Sequence, residues 1–384
     1  MESIYIKNFG PITEVRIDDI KKVTVFIGES GSGKSTIMKV IALFRWLFKM
    51  MNIRSFLKQS GIKKCPFRFK FINLLKASGM NEYLKPDSVL IYENGSLRLE
   101  WNSSNKTLKG TTEIIPKNEL SLEKISFISD KRSIISDVLD NNVSLKKGMY
   151  YLSETYNDFD LALDYVREMN IADLGVKFVA KKTNQGIRYQ IVPSDGSLSY
   201  GVKLTAASSG TQNLVPLNVI VEYYSKYYNL VDSINKAVLS FLSKSDSLSI
   251  FKAVQDIGSF SKKNVHLIIE EPELSLYPSS QCDLVDFLLK SIAQGEKRDY
   301  NISLMMATHS PYIVNYLNVL LRRYNRHNNE QCGSVASDDL SVYRVFEGRI
   351  QNLVGLDENG HIAVDTSDLS EVMESIYNEY VSLR

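Results

Sequence analysis

Cysteine is scarce in this chain. Only Cys65, Cys282 and Cys332 occur in 384 residues, far apart and without C-x-x-C spacing. That argues against a disulfide framework or a cysteine zinc site, and a reducing compartment is expected. The opening Met1-Glu2-Ser3-Ile4 has no basic segment leading into an apolar core, so no signal peptide is expected. The most apolar run, Ile37 to Met51, is broken by Lys39, Arg45 and Lys49 and cannot span a bilayer unaided. A cytoplasmic protein without membrane contact is the expectation. Long heptad arrays, internal repeats and low-complexity segments are also missing.

Acidic residues are absent from Ser30 to Asn81, while eleven basic residues fall in that window: Lys34, Lys39, Arg45, Lys49, Arg54, Lys58, Lys63, Lys64, Arg68, Lys70 and Lys76. A solvated face and a surface for a polyanion or acidic partner both explain such a run. The net charge of +2 neither demands nor excludes nucleic acid. Phe67, Phe69 and Phe71 alternate with Arg68 and Lys70, which reads as a half-buried strand.

What is present is a complete G-x-x-x-x-G-K-S loop, Gly28-Glu29-Ser30-Gly31-Ser32-Gly33-Lys34-Ser35-Thr36. It lies between the strand pattern Val23–Ile27 and a helix pattern with Ile37, Val40, Ile41, Phe44 and Leu47 on one face, the setting such a motif requires. Its glycines let backbone N–H groups turn into one concavity, backed by the positive end of the helix. Lys34 has the reach for β- and γ-phosphates, and the Ser35 hydroxyl suits Mg²⁺.

Farther on, the buried-strand run Val265–Ile269 ends in Glu270-Glu271-Pro272-Glu273. One carboxylate can hold Mg²⁺ through water and the next can orient the attacking water; the plain alternative is acids opening the next helix. A second buried run, Ser303–Ala307, ends in Thr308-His309-Ser310-Pro311. His309 could sense the γ-phosphate, or be structural. Ser208-Ser209-Gly210-Thr211-Gln212 separates a strand from a helix and has the ingredients of another phosphate-facing helix start. Strands are expected at Ile4–Ile6, Ile12–Ile17, Val176–Lys181, Ile187–Val192, Tyr200–Leu204 and Val342–Val345. A hairpin is expected at Asn94-Gly95 and a strand pair around Asn359-Gly360. Helices are expected at about 153–169, from about 212 to 260, and in a closing stretch from about Leu369. Strands separated by helices argue for an α/β sheet bearing a helical subdomain.

Taken in order, Gly28–Thr36, Ser208–Gln212, Leu267–Glu273 and Ala307–Pro311 resemble the ABC-type ATPase heads of the SMC, RecF and OLD-like group. The opening Ile4–Ile12 and the run Glu271–Pro278 share the likeness. The resemblance implies a P-loop NTPase with a mixed sheet and helices plus a helical, β-hairpin-rich lobe. One composite head would span 1–384, with a nucleotide core at 1–50 and 200–384 and the lobe at 51–199. The segment 223–263 would be a candidate partner-docking arm. ATP and Mg²⁺ would be sandwiched in a homodimer or higher homo-oligomer. Lys34, Ser35, Glu270 and Glu271 of one chain would face Ser209, Gly210 and Gln212 of the other. Glu271 would activate water, and His309 would act as the γ-phosphate switch. Phe127–Arg132 occupies the place of the loop that links nucleotide to the distal lobe, without the usual glutamine. Glu270 stands where aspartate is more usual, and Tyr277 where histidine is common. The stretch after His309 is expected to be too short for a Toprim nuclease module.

Small ATPase subunits of two-component phage-defence systems are similar. The functional expectation is a dimeric ATP switch controlling a separate effector, such as a nuclease encoded nearby. The alternatives are a RecF-like DNA clamp using the acid-free segment, and ATP serving as glue for an oligomer.

Overall fold

The computed structural model describes residues 1–383 except 63–68, 146–148, 172–173, 185, 196–200, 245–250, 252, 254–255, 297 and 327–332. Cys65 and Cys332 lie outside the described residues, and Cys282 is a free thiol. The chain opens with the hairpin β1 (Glu2–Phe9) and β2 (Ile12–Ile17). Next come β3 (Val23–Ile27), the helix α1 (Lys34–Gln59) and the short α2 (Phe71–Ala77). Three antiparallel strands follow, β4 (Leu84–Asn94), β5 (Leu97–Asn102) and β6 (Thr107–Lys109), and then β7 (Ser121–Ile128). Helices α3 (Ile134–Leu139) and α4 (Tyr150–Leu163) precede β8 (Glu168–Ile171), β9 (Val176–Thr183), β10 (Gly186–Pro193) and β11 (Val202–Lys203).

The C-terminal half runs α5 (Ser209–Lys226), α6 (Leu230–Lys244), β12 (Lys262–Glu270), α7 (Pro278–Glu296), β13 (Asn301–Thr308) and α8 (Pro311–Asn325). It closes with β14 (Leu340–Phe346), β15 (Arg349–Asn352), β16 (Val354–Leu356), β17 (Ile362–Val364) and α9 (Ser367–Ser382). Among the described residues no helix is long and apolar enough to cross a membrane.

The central sheet has the order β15-β14-β3-β13-β12-β7 and is parallel except for β15. An antiparallel sheet, β2-β1-β4-β5-β6, and a second one, β11-β10-β9-β8, complete a mixed α/β fold. β4 to β7 all come from the stretch 51–199; the first three join the antiparallel sheet and β7 edges the central one.

Helix α1 is apolar on nearly every face because it lies between sheets. Phe44 stacks on Tyr92 of β4 at 5.6 Å, while α1 also packs on β7, β12 and β13. Arg45, buried in α1, makes two bonds to the Glu2 carboxylate at 2.8 and 2.9 Å, and the Tyr92 hydroxyl donates to the same carboxylate. The fork-on-carboxylate geometry offsets the cost of burying both charges.

Register sets the site. Ala307 pairs with Phe26, Thr308 with Ile27, and Glu270 with Ala307. The carboxyl ends of β3, β13 and β12 are therefore flush, and the residues that follow each strand meet at one edge, where open α/β sheets bind ligands.

Several local expectations are corrected. Phe71 opens α2 rather than continuing a strand, and Phe67 and Arg68 lie outside the described residues. The helix expected to reach Met169 stops at Leu163, because Met169 pairs with Phe178 in β8–β9. The helical pattern from 212 to 260 divides at Tyr227–Asn229 into α5 and α6, with a single 3-10 turn at Ile257–Ser259. Of the strand expected at 200–204, only Val202–Lys203 is strand; Leu204 opens a 3-10 turn, and 200 lies outside the described residues. The acid-free stretch is not one solvated face, because Lys39 and Arg45 pair with Glu270 and Glu2, and Arg54 donates to the Thr111 carbonyl. Lys63, Lys64 and Arg68 lie outside the described residues.

Candidate nucleotide site

Every residue of β3 is buried, so the loop that follows is anchored at its root. Gly28 adopts φ 154°, and a Cβ there would sit 2.3 Å from the Val345 carbonyl oxygen of β14, so only glycine fits. Gly33, at φ 110°, precedes α1 without a side-chain cap, and the first turn of α1 carries no acid. Backbone N–H groups at that helix start are left facing the loop with the helix's positive end behind them. The hydroxyl of Ser32 is buried without a hydrogen-bond partner. An orphaned donor inside a glycine-shaped cradle fits an anionic phosphate. Glu29, Ser30 and Gly31 are exposed at the tip, and Thr36 is buried in α1.

Lys34 is buried, and its ammonium donates to the Gly28 and Glu29 carbonyls at 2.8 Å each. Burial lowers its pKa, while the carboxylates of Glu271 and Glu273 act in the opposite sense. The amine stands 3.5 Å from His309 Nδ1, and His309 Nε2 stands 3.5 Å from Glu271 Oε1. His309 therefore bridges the loop lysine and the acid after β12. The backbone N–H of His309 donates to Glu273 Oε1 at 2.6 Å, and Glu273 Oε2 is a second buried atom without a partner. Glu271 adopts a left-handed φ of 43° while its N–H bonds to the Ala307 carbonyl at 2.9 Å. A non-glycine residue held there carries local strain, of a kind that clusters at functional sites.

Glu270 is turned elsewhere. Its buried carboxylate pairs with Lys39 at 2.9 Å, and the Lys39 ammonium lies over the rings of Phe127 and Tyr151 at 6.0 and 5.1 Å. Lys39 follows Ser35 by one helical turn, so Glu270 lies against the face of α1 that carries the Ser35 hydroxyl. Among the described residues no group of three or more His, Cys, Asp or Glu side chains could hold a metal. A hard cation here would rest on Ser35, Glu270, substrate oxygens and water, the donor set Mg²⁺ prefers.

Arg132, in the loop after β7, is fully buried. Its guanidinium donates to five carbonyls: Asn213 at 3.0 Å, Ser129 at 3.2 Å, Glu270 at 2.8 Å, Glu271 at 2.8 Å and Pro272 at 3.4 Å. Burial pulls its pKa down to about 10, against the pull of Glu273, Asp130, Glu271 and Glu270, so it stays charged near neutral pH. One side chain thus ties the end of β12 to the start of α5. Arg132→Met would take the guanidinium from all of these carbonyls, leaving Ser129 and Glu271 only the longer bonds from the Arg132 and Leu274 N–H groups at 3.3 Å each. It should cost about 3–5 kcal/mol of unfolding free energy in urea titration, where a cost below about 1 kcal/mol would refute the brace.

The Ser208–Gln212 corner forms the start of α5. Ser208 caps it, accepting from the Thr211 N–H at 3.3 Å. Ser209 is exposed, and a Cβ on the buried Gly210 would lie 2.8 Å from the Ser275 carbonyl. The Gln212 amide is held inside its own chain, donating to the Thr205 and Ala207 carbonyls at 3.0 and 2.8 Å and accepting from Ser136. No hydrogen bond among the described residues joins Ser209, Gly210 or Gln212 to Lys34, Glu271 or His309. Sequence reasoning missed Lys39 and Glu273 as site residues, and it placed Arg132 within the Phe127–Arg132 loop without a role of its own. Only Glu273, third acid of the Glu-Glu-Pro-Glu run, carried a local signal.

The chain matches the AAA ATPase domain family over residues 1–64 and 48–314, most of its length. No curated protein is matched by this sequence. It is similar to a solved SMC head bound to the C-winged helix domain of ScpA, at 13% identity and TM-score 0.37, covering 91% of this chain and 96% of that one. The SMC head domain of Thermotoga maritima is similar at 13% identity and TM-score 0.36, covering 91% and 97%. A nucleotide-free ATP-binding cassette from an ABC transporter is similar at 13% identity and TM-score 0.32, covering 91% and 90%. The chain belongs to the AAA ATPase domain family.

Proposed function

We propose that the protein is a Mg²⁺-dependent ATPase head that closes as a homodimer on ATP and switches a separate effector. The observation that carries this reading is the meeting of Lys34, His309 and Glu271 at one sheet edge, while the Ser209 corner stays exposed on the same chain. A site split in this way suits completion by a second copy. Lys34 and the cradle N–H groups bind the triphosphate. Glu271, 35% exposed, takes the proton of the attacking water, and His309 stabilises charge developing on the γ-phosphoryl group. Ser35 and Glu270 would hold Mg²⁺, which neutralises phosphate charge when bound. Ser209, Gly210 and the first N–H groups of α5 would close the partner's site, with Gln212 bracing that corner.

Within the proposed head, 1–50 and 200–384 form the nucleotide core and 51–199 the lobe, apart from β7, which edges the core sheet beside β12. The segment 223–263 is the proposed docking arm for the effector. Its helix α6 buries Leu230, Ile234, Val238 and Leu242 and leaves Leu239 exposed. The likeness of the motif set to small subunits of two-component phage-defence systems supports a nuclease effector in the cytoplasm. The RecF-like alternative draws on the acid-free segment, several of whose cations are engaged inside the chain.

Complementation tests the composite site. Lys34→Ala and Ser209→Arg chains should each be inactive, yet their mixture should regain ATPase activity, because a mixed dimer keeps one intact pair of half-sites. A mixture as inactive as its parts would overturn the shared site.

A further inference from the structure

Phe127 and Tyr151, whose rings carry the Lys39 ammonium, also wall a pocket of about 220 Å³. Three helices and an edge strand build it. Trp46 comes from α1, Leu74 from α2, Phe127 from β7, and Tyr150, Tyr151 and Glu154 from the first two turns of α4. Residues 150, 151 and 154 share one helical face, so α4 brings two rings and a carboxylate to the same space. The rings brace one another. The Phe127 and Tyr151 centroids lie 4.3 Å apart, and Tyr150 meets Tyr151 edge-on at 5.2 Å. The buried Thr155 hydroxyl ties α4 to β7. It shares its proton between the Phe127 and Tyr151 carbonyls, at 2.9 and 2.8 Å, and accepts from the Ser129 N–H at 3.0 Å.

Of the residues that line this pocket, Glu154 alone is charged. Its carboxylate makes no hydrogen bond or ion pair among the described residues. Lys124, the cation acting on it most strongly, is held by Asp158 at 2.7 Å, and Lys49 reaches it only through its field. Burial outweighs both lysines and pushes the Glu154 carboxyl above its ordinary value. A partly buried carboxylate left unpaired among aromatic rings is costly, and a cation supplies what it lacks. We propose that the pocket takes a small organic cation, an ammonium or guanidinium on an aromatic or alkyl body. The charge pairs with Glu154 beside the electron-rich rings, and the body fills the apolar remainder. Lys39 shows that two of these rings already accept an ammonium. A neutral ligand would leave Glu154 unpaired, and an anion would be repelled. Binding here does not depend on the ATPase reading, although Lys39 joins the same rings to Glu270.

The test uses phenethylammonium and benzyltrimethylammonium as cations, 2-phenylethanol as their neutral counterpart and 3-phenylpropionate as the anion. Calorimetry follows binding, together with the emission of Trp46, one of two tryptophans in the chain. At least one cation should saturate the protein at about millimolar concentration or below, roughly tenfold tighter than the alcohol or the acid. Glu154→Gln should weaken that cation by about ten- to hundredfold and leave 2-phenylethanol unchanged. Tyr150→Ala, at a ring 37% exposed, should weaken it by about two- to tenfold without harm to folding. Failure of both cations to bind would overturn the site. So would equal affinity for cation and alcohol, or a cation indifferent to Glu154→Gln. A capped arginine peptide that binds where both free cations fail would give the pocket to a partner's side chain and overturn the small-molecule assignment.

Discussion

Lys34→Ala should weaken Mg²⁺-ATP by roughly 10²- to 10³-fold, or about 3–4 kcal/mol, the worth of one or two charge-assisted hydrogen bonds. The amine sits between two loop carbonyls and His309, close to the carboxylates of Glu271 and Glu273. Removing it takes the one cation from the cradle and leaves two acids facing a polyanion. Repulsion then adds to the lost attraction. The substitution also releases the Gly28 and Glu29 carbonyls, which loosens the loop itself. Calorimetric titration with Mg²⁺-ATP reads the effect directly. Affinity within a factor of two of wild type would remove the phosphate site from this part of the fold.

Glu271→Gln should lower turnover by about 10²- to 10⁴-fold, the usual contribution of a positioned general base, while leaving ATP bound. Glutamine keeps the shape of the side chain beside His309 but has no carboxylate to accept a proton. Because the lost function lies in the chemical step, kcat should fall far more than KM rises. The variant should then accumulate as an ATP-bound dimer, visible by light scattering with Mg²⁺-ATP and absent with ADP. Phosphate release measured side by side decides the point. Equal rates near zero in wild type and variant would reassign ATP as structural glue. A variant as fast as an active wild type would place the base elsewhere.

Legibility of the fold followed the range of the interactions involved. The loop, the strand before it and the helix after it are contiguous, and their signals are local: glycine spacing, an apolar run, then a 3.6-residue period. The buried strands ending at Glu270 and Thr308 were readable for the same reason, since parallel strands covered on both faces are continuously apolar. The helix end expected at Met169 and the strand expected to reach Phe71 fail where a short periodic run fits two patterns. At Met169 a cross-strand partner decided the matter, and no neighbour in sequence announces it.

The residues that organise the site were the least visible. Arg132 reaches carbonyls 81, 138 and 139 residues away, and backbone acceptors leave no imprint on residue type. Lys39 looked like one cation in a basic run, yet it closes on Glu270 across the sheet edge. Trp46 and Glu154 share a pocket only because α1 and α4 both pack against β7.

The order of residues by itself determined the chemistry on offer: a glycine cradle with its lysine, an acidic strand end, and a histidine after the next strand. Local backbone preference and hydrophobic period suffice for that, because each signal is complete within about ten residues. Tertiary structure alone decided which groups meet. Strand register brought Lys34, His309 and Glu271 to one edge, and burial turned Arg132 and Lys39 from surface charges into braces. Such meetings depend on how sheets and helices pack across the whole chain, and packing is a property of the assembled core rather than of any segment within it.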